Sequence, residues 1–351
     1  AGLFEYVAFT CGADLGVASS GFCDYLESIG VPSDPSDLNV PSIGVAELVG
    51  SQTVVRTITS VTMEQGWRTY EATVEAPPGF DVTVSPSSLR LKRGMSATFE
   101  VTISNIGGAA LGEWAYGSLT WNDTTGHYDV RSPIAVRAFE FAADDEVHAS
   151  GASGSAEIDV AFGYDGDYSA AAHGLEPAAT QPGLVVDDPA NDINTALFTG
   201  VGVTWHLVTV PAGTAYTRIS LFDDYTDGAD DLDLYVFSGG GAFLGGSGSA
   251  SSAEQVDLVF PAADTLQVAV HGWQTDGPDS NYTLFDWSVS ATPGGTLGVV
   301  SAPAAAALGA TGTVVVDWSG LSAGKYLGAV SHTGPGAALL GLTLVGVDVA
   351  P

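Results

Sequence analysis

A chain of 351 residues with 9 Lys+Arg against 41 Asp+Glu carries a formal net charge of −32, which repels phosphate backbones and anionic lipid and so argues against nucleic-acid and membrane-surface roles. No apolar run reaches the roughly 20 residues that span a bilayer, and Ala1 begins without a basic n-region and an apolar h-region, so the chain reads as a mature, soluble segment. The 45 glycines, the 17 prolines and the many Thr/Val alternations predict an all-β chain long enough for two or three domains.

Residues 1–36 differ in pattern from the rest of the chain. "LFEYVAF" can make one helical or extended turn, and "CDYLESIG" places Tyr25, Leu26 and Ile29 at helical spacing before Gly30 stops it. Cys11 and Cys23 are the only cysteines, separated by the foldable "GADLGVASSGF". With no other cysteine to pair with, and in a Gly/Ala/Ser/Thr-rich acidic chain of secreted type, a disulfide is favoured over two buried thiols, and it contributes on the order of 3 kcal/mol. No His or further Cys lies at metal-ligand spacing from them. "VPSDPSD" is a turn-rich linker.

From residue 37 the pattern becomes short strands broken by turn signals: "TVVRTITSV", "TYEATVEA", "DVTVS", "ATFEVTIS", "YGSLTWND" and "VRSPIAVRA", interrupted at "APPGF", "SPSS", "KRGM" and "NIGG". That interval of roughly 8–12 residues marks an antiparallel sandwich over 37–138. The strings "DLNVPSI", "VVRTITSV", "YEATVEAPPGFDVTVSPSSLRL", "FEVTIS", "YGSLTWND" and "VRSPIAV" resemble, in order and spacing, the fibronectin type-III-like domain that follows the catalytic domain of subtilisin-like serine proteases. Val40 stands where that family usually has an aromatic, and "ITSVT" replaces its usual Asn-Val-Gly turn. "AGLFEYVAFTCG" is similar to the segment joining the protease core to this domain, so the resemblance implies an upstream catalytic domain as partner and a secreted, extracellular serine endopeptidase as parent.

Such a protease needs an Asp, a His and a Ser nucleophile, the Ser in a Gly-Thr-Ser-Met-Ala-like turn. No such string occurs, and His127, His148, His173, His206, His271 and His332 are scattered singly, each read as a surface or strand histidine. The chain therefore has no candidate catalytic residues and is expected not to be an enzyme by itself.

Residues 139–192 supply two strands and a Gly/Ala-rich connection. Alternation returns over 193–291, and this block resembles the pre-peptidase C-terminal domain of secreted bacterial proteases, a jelly-roll-like sandwich, through its Asp231–Tyr235 string "DLDLY". Residues 292–351 hold four apolar runs, too few to stand alone, which are expected to pack on the preceding modules or to complete an Ig-like fold with strands of 139–192.

The densest chemistry is "DDYTDGADDLDLY", with Asp223, Asp224, Asp227, Asp230, Asp231 and Asp233. Crowded carboxylates repel, and a hard cation taking 6–8 oxygens relieves this, so Ca²⁺ is the candidate ion on Asp223, Asp224, Asp227, Asp230 and Asp231. The competing reading is a solvated acidic face, with Leu232 and Leu234 inward and Asp231 and Asp233 outward. Trp205, Tyr282, Trp287 and Trp318 fall on or beside strands and read as packing, whereas Trp273 in "HGWQTDGPDSNY" is expected in a loop and is the aromatic candidate for polysaccharide or peptide contact. Three functional classes follow: an accessory region of a secreted subtilase, an independent extracellular structural or adhesive protein that self-associates, and a hydrolase in its own right, against which the missing triad argues.

Overall fold

The computed structural model describes residues 1–13, 15 and 18–351. Two compact units emerge, the first formed by residues 1–142, 160–168 and 304–312, the second by 143–159, 169–303 and 313–351.

The first unit opens with helices α1 (Leu3–Gly12) and α2 (Ser20–Ser28), joined by the Cys11–Cys23 disulfide across a Cα–Cα distance of 5.8 Å. Of the apolar trio at helical spacing only Leu26 is buried, while Tyr25 and Ile29 are about half exposed; Ile29 is already the C-cap, so the helix ends before the stripe is complete. A 3₁₀ turn at Pro35–Asp37 is capped by Asp34, whose Oδ1 accepts from Ser36 N at 2.8 Å.

Eight strands come next: β1 (Ile43–Leu48), β2 (Ser51–Thr59), β3 (Arg68–Glu75), β4 (Phe80–Ser85), β5 (Ser88–Leu91), β6 (Ser96–Asn105), β7 (Trp114–Asp123) and β8 (Asp129–Ala138). They form a five-stranded sheet, order β1-β8-β7-β3-β5, and a three-stranded sheet, order β2-β6-β4. Alternation explains the sandwich: Val54, Phe99, Val101 and Ile103 from one sheet meet Tyr70, Leu119, Trp121 and Ile134 from the other in a single core. On the solvent face threonines pair across strands, Thr53 with Thr102 at 2.8 Å and Thr57 with Thr98 at 3.0 Å. β1 runs parallel to β8, but only from Ile43↔Ile134 onward.

Farther along the chain are β9 (Phe141–Ala143), β10 (Glu146–Ser150), β11 (Gly154–Phe162), β12 (Ser169–Pro177), β13 (Ala179–Val186) and the helix α3 (Ile193–Thr199), which Asp192 caps and Gly200 ends in the left-handed conformation. After it lie β14 (Val203–Val210), β15 (Thr214–Ser220), β16 (Asp231–Phe237), β17 (Phe243–Ser247), β18 (Gln255–Val259), β19 (Asp264–Gln274) and β20 (Asp279–Ser290). In the second unit two four-stranded sheets, β13-β20-β15-β18 and β14-β19-β16-β17, enclose a core of Ile219, Leu232, Leu234, Val268, Val270 and Leu284. The last strands are β21 (Gly298–Ser301), β22 (Thr311–Trp318), β23 (Gly324–Thr333) and β24 (Leu339–Val349).

Strands from 292–351 pair with strands from 139–192: β12 is antiparallel to β23, and β10 is parallel to β24. Their sheet packs on the outer face of the sandwich through Trp287, Phe285, Leu327 and Leu344. Arg218 of β15 ties the two layers together, its Nη1 and Nη2 donating to Glu146 at 2.7 and 2.8 Å and its Nε to Asp257 at 2.9 Å. The chain is thus all-β, built of antiparallel sandwiches, with three short α-helices among the described residues. Among the described residues no helix is long and apolar enough to cross a membrane.

Candidate functional site

Asp223, Asp227 and Asp230 of the acidic loop accept hydrogen bonds. Asp223 Oδ1 accepts from Ser252 N at 2.8 Å. Asp227 accepts from Asn281 N at 2.9 Å and Nδ2 at 2.6 Å, which lowers its pKa. Asp230, buried, accepts from Asp276 N at 3.0 Å and Ser280 Oγ at 2.6 Å. Asp224 lies in the exposed 3₁₀ turn, and Asp231 Oδ1 is buried without a partner, its pKa pushed up by burial and then by Asp233 and Glu254. These side chains do not converge: among the described residues no group of three or more His, Cys, Asp or Glu is arranged to hold a metal ion. N–H and O–H donors thus partner Asp223, Asp227 and Asp230, while Asp231 keeps an unpartnered oxygen beside Asp233 and Glu254.

The solvated-face reading of "DLDLY" needs correction, because Asp233 is buried at 4% exposure. Its Oδ2 accepts from Tyr235 OH at 3.2 Å and faces His271 Nδ1 at 3.2 Å, while His271 Nε2 lies 3.0 Å from Asp188 Oδ2. β16 and β19 bring this about by setting Asp233 directly opposite His271. Burial works against charge on the fully buried His271, but hydrogen bonds to Asp233 and Asp188 outweigh it and raise its pKa. Asp188 is likewise disfavoured as an anion by burial, yet bonds from His271, Asp192 N and Ala190 N hold its pKa below the ordinary value. The result is an imidazole held between two buried carboxyl groups, one on each ring nitrogen.

Trp273 lies within strand β19, next to its last residue and at the register shift between the Gly272↔Leu232 and Gln274↔Asp231 pairs, and not in a loop. Its ring stands edge-on to His271, centroids 6.0 Å apart, and 37% of the residue is exposed. Three more histidines are buried: His173 Nε2 meets Ser331 Oγ at 2.9 Å, His206 meets Tyr282 OH at 2.7 Å and His332 meets Thr343 Oγ1 at 3.0 Å. No carboxylate orients His173, whose Nδ1 is unpartnered, so the Ser331 pair lacks the third member that activates a serine.

The feature that sequence reasoning missed is a groove of about 530 Å³ in the first unit, walled by Ile58, Tyr70, Phe99, Trp121 and Val130. In β2 the inward positions are Val54, Arg56 and Ile58, and in β8 they are Val130, Ser132 and Ile134. β1 pairs with β8 only from Ile134, so ahead of it β8 is the edge of its sheet, and Val130, though inward-facing, is 51% exposed. Val61 and Met63 at the rim are 84% and 79% exposed. Arg56, 4% exposed, donates to the carbonyls of Val55, Ser36 and Ser42, and its Nε is unpartnered. Burial lowers its pKa, with Asp37 partly offsetting this. Trp121 Nε1 is unpartnered too. Arg131, exposed on the same groove, has no ion pair among the described residues. Seven of the nine Lys+Arg of the chain lie between Arg56 and Arg137, so this unit holds nearly all the positive charge.

Comparison with known proteins places these observations. Residues 37–136 match the family model of a fibronectin type-III domain. The CO(2)-response secreted protease of Arabidopsis thaliana is 35% identical over 142 residues, 38% of this chain and 18% of that protein. Subtilisin-like serine-protease S of Lotus japonicus is 39% identical over 106 residues, 30% of this chain and 13% of that protein. Both are matched over a non-catalytic, fibronectin-like region, so the chain spans less than a fifth of the length of these relatives.

Proposed function

We propose that this chain is a non-catalytic accessory region of a secreted subtilisin-like serine protease, working outside the cell beside a catalytic domain that carries the Asp, His and Ser. The observation that carries the reading is the similarity of the fibronectin-like unit to subtilisin-like proteases, over 142 residues at 35% identity in one case. The helices ahead of that unit support it. Leu3, Phe4, Tyr6, Phe22 and Tyr25 are all exposed, an apolar surface of the kind that a neighbouring domain covers. In this reading the helices dock on the catalytic domain, the first sandwich stabilises it, and the second unit, similar in its "DLDLY" strand to pre-peptidase C-terminal domains, takes part in attachment to substrate or surface.

The test compares this chain with a longer polypeptide that includes the coding sequence upstream of Ala1. The chain alone leaves casein intact, the longer polypeptide cleaves it, and Leu3→Ser/Phe4→Ser in the longer form lowers the melting temperature of its catalytic domain. Fluorophosphonate labelling of this chain together with casein hydrolysis, or a signal peptide ending directly before Ala1, overturns the reading.

A further inference from the structure

We propose that the open edge of β8 at Asp129–Ser132 takes up an extended peptide from another polypeptide, as an added strand whose apolar face fills the groove beneath Val130 and whose opposite face carries an acidic residue. The inference goes beyond the accessory reading and does not depend on it.

Three independent features of the first unit converge. The first is backbone. Asp123 N donates to Tyr128 O at 2.8 Å, and the antiparallel register pairs Trp121 with Val130 and Leu119 with Ser132, so the peptide groups of Tyr128, Val130 and Ser132 face β7 and those of Asp129 and Arg131 face away. On that outer side, among the described residues, β1 begins only at Ile134. Pro133 lacks an N–H and ends the usable edge.

The second is apolar surface. Val130 and Ile58 point into the sandwich from opposite sheets, yet Val130 is 51% exposed. A strand added to β8 places every second side chain over this gap, because its pleat continues that of the sheet. An alkyl chain would fill the gap but leave the edge amides unused, which is why the geometry favours a peptide.

The third is charge. A chain with 41 Asp+Glu leaves Arg131 at this edge of β8 and Arg56 in the groove wall without an ion-pair partner among the described residues. Arg131 lies on the outer face of β8, so the residue opposite it on an added strand would meet a free guanidinium. Asp129 shares that face two residues away, which limits the acidic positions to one. Arg56 Nε–H and Trp121 Nε1–H remain as unused donors in the groove wall. A second copy of this chain is the poorer occupant, since its net charge of −32 repels association.

The probe is a fluorescein-labelled Val-Glu-Val-Thr-Val amide, titrated with the whole chain and read by anisotropy. Saturable binding is expected, weakened at least about tenfold by Val-Lys-Val-Thr-Val and at least about tenfold by Val130→Glu, which sets a carboxylate in the apolar gap. Val130 is half exposed, so this variant keeps the parent melting temperature, and Arg131→Gln gives a second, surface-only variant that also weakens binding. In ¹⁵N spectra the indole cross-peak absent from Trp121→Phe moves on titration. Absence of saturable binding at millimolar peptide, equal binding of the Lys peptide, or undiminished binding to Val130→Glu overturns the proposal. So does concentration-dependent dimerisation abolished by Val130→Glu, which assigns the groove to a second copy, and so does a Trp121 shift produced by dodecanoate where the peptide produces none.

Discussion

His271 Nε2 meets Asp188 Oδ2 at 3.0 Å across 83 positions of sequence, both side chains buried, and a second carboxylate, Asp233, closes the other side of the ring at 3.2 Å. Two buried carboxyl groups on one imidazole make the charge state of His271 a determinant of the second unit's stability. Its pKa is raised above the ordinary 6.5, so its contribution is complete below pH 6.5 and is lost as pH rises through the raised value. His332 acts in the opposite sense: burial pulls its pKa from 6.5 to about 4, so its contribution is complete above pH 6.5 and falls away toward pH 4, by about 3 kcal/mol. Asp188, lowered from 3.8, adds a further loss below that value. The second unit is therefore expected to melt highest near pH 6.5. Calorimetry from pH 4 to 9 checks this: His271→Gln should flatten the alkaline limb and His332→Gln the acid limb, and an unchanged profile in both variants refutes the assignment.

Removing one partner of a buried ion group exposes the cost it was offsetting. Arg218 is buried, its charge opposed by desolvation but held by Glu146 and Asp257, which together raise its pKa. Arg218→Met leaves both carboxylates without their cation and is expected to cost about 3–5 kcal/mol. Urea denaturation of the second unit measures it. Glu146→Gln should cost less, because a neutral amide still accepts from the guanidinium. If the two substitutions cost the same, or neither exceeds about 1 kcal/mol, the network is not what joins the C-terminal sheet to the sandwich.

The all-β class and the strands were readable where alternation is strict: "TYEATVEA" falls on Arg68–Glu75, and "ATFEVTIS" lies within Ser96–Asn105. Burial of the helices was not, since Tyr25 and Ile29 share helical spacing with Leu26 but stay half exposed. "DLDLY" pointed to the correct inward leucines and to the wrong account of Asp233, because the sequence of one strand does not say that the strand opposite sets His271 against it. Asp188 reaches the same imidazole from a third segment, and no local period links residues 83 apart. The groove was invisible for a related reason: it exists because β1 starts pairing at Ile134 and not at Val130, a matter of register and not of composition.

The disulfide lies between two short helices with 12 residues of separation. Closing a loop of that size contributes about 3 kcal/mol, chiefly by restricting the unfolded segment. Cys11→Ser/Cys23→Ser should therefore loosen residues 1–36 and leave the sandwich core, which Leu119 and Trp121 anchor, nearly unaffected. Limited proteolysis with and without reductant reads the first effect, and the melting temperature of the first unit reads the second. A fall of the whole unit by more than a few degrees would mean that the helices are integral to the sandwich.

Asp230 separates the two accounts of the acidic loop. Its carboxylate takes the amide of Asp276 at 3.0 Å and the hydroxyl of Ser280 at 2.6 Å, inside a side chain that is 6% exposed. If these donors are its working partners, Asp230→Ala strands the buried Ser280 O–H together with the Asp276 N–H and costs about 1–3 kcal/mol whatever cation is present. If an ion is the working partner, the variant loses stability only in calcium. The melting temperature of the second unit, compared in Ca²⁺, Mg²⁺ and Na⁺ at matched ionic strength so that screening is constant, distinguishes them. The bonds lead us to expect equal shifts for the three cations in the parent and an equal drop for the variant in each. A Ca²⁺-specific rise in the parent that Asp230→Ala abolishes would instead put the ion among Asp223, Asp227, Asp230 and Asp231, and would require the loop to exchange its hydrogen bonds for coordination.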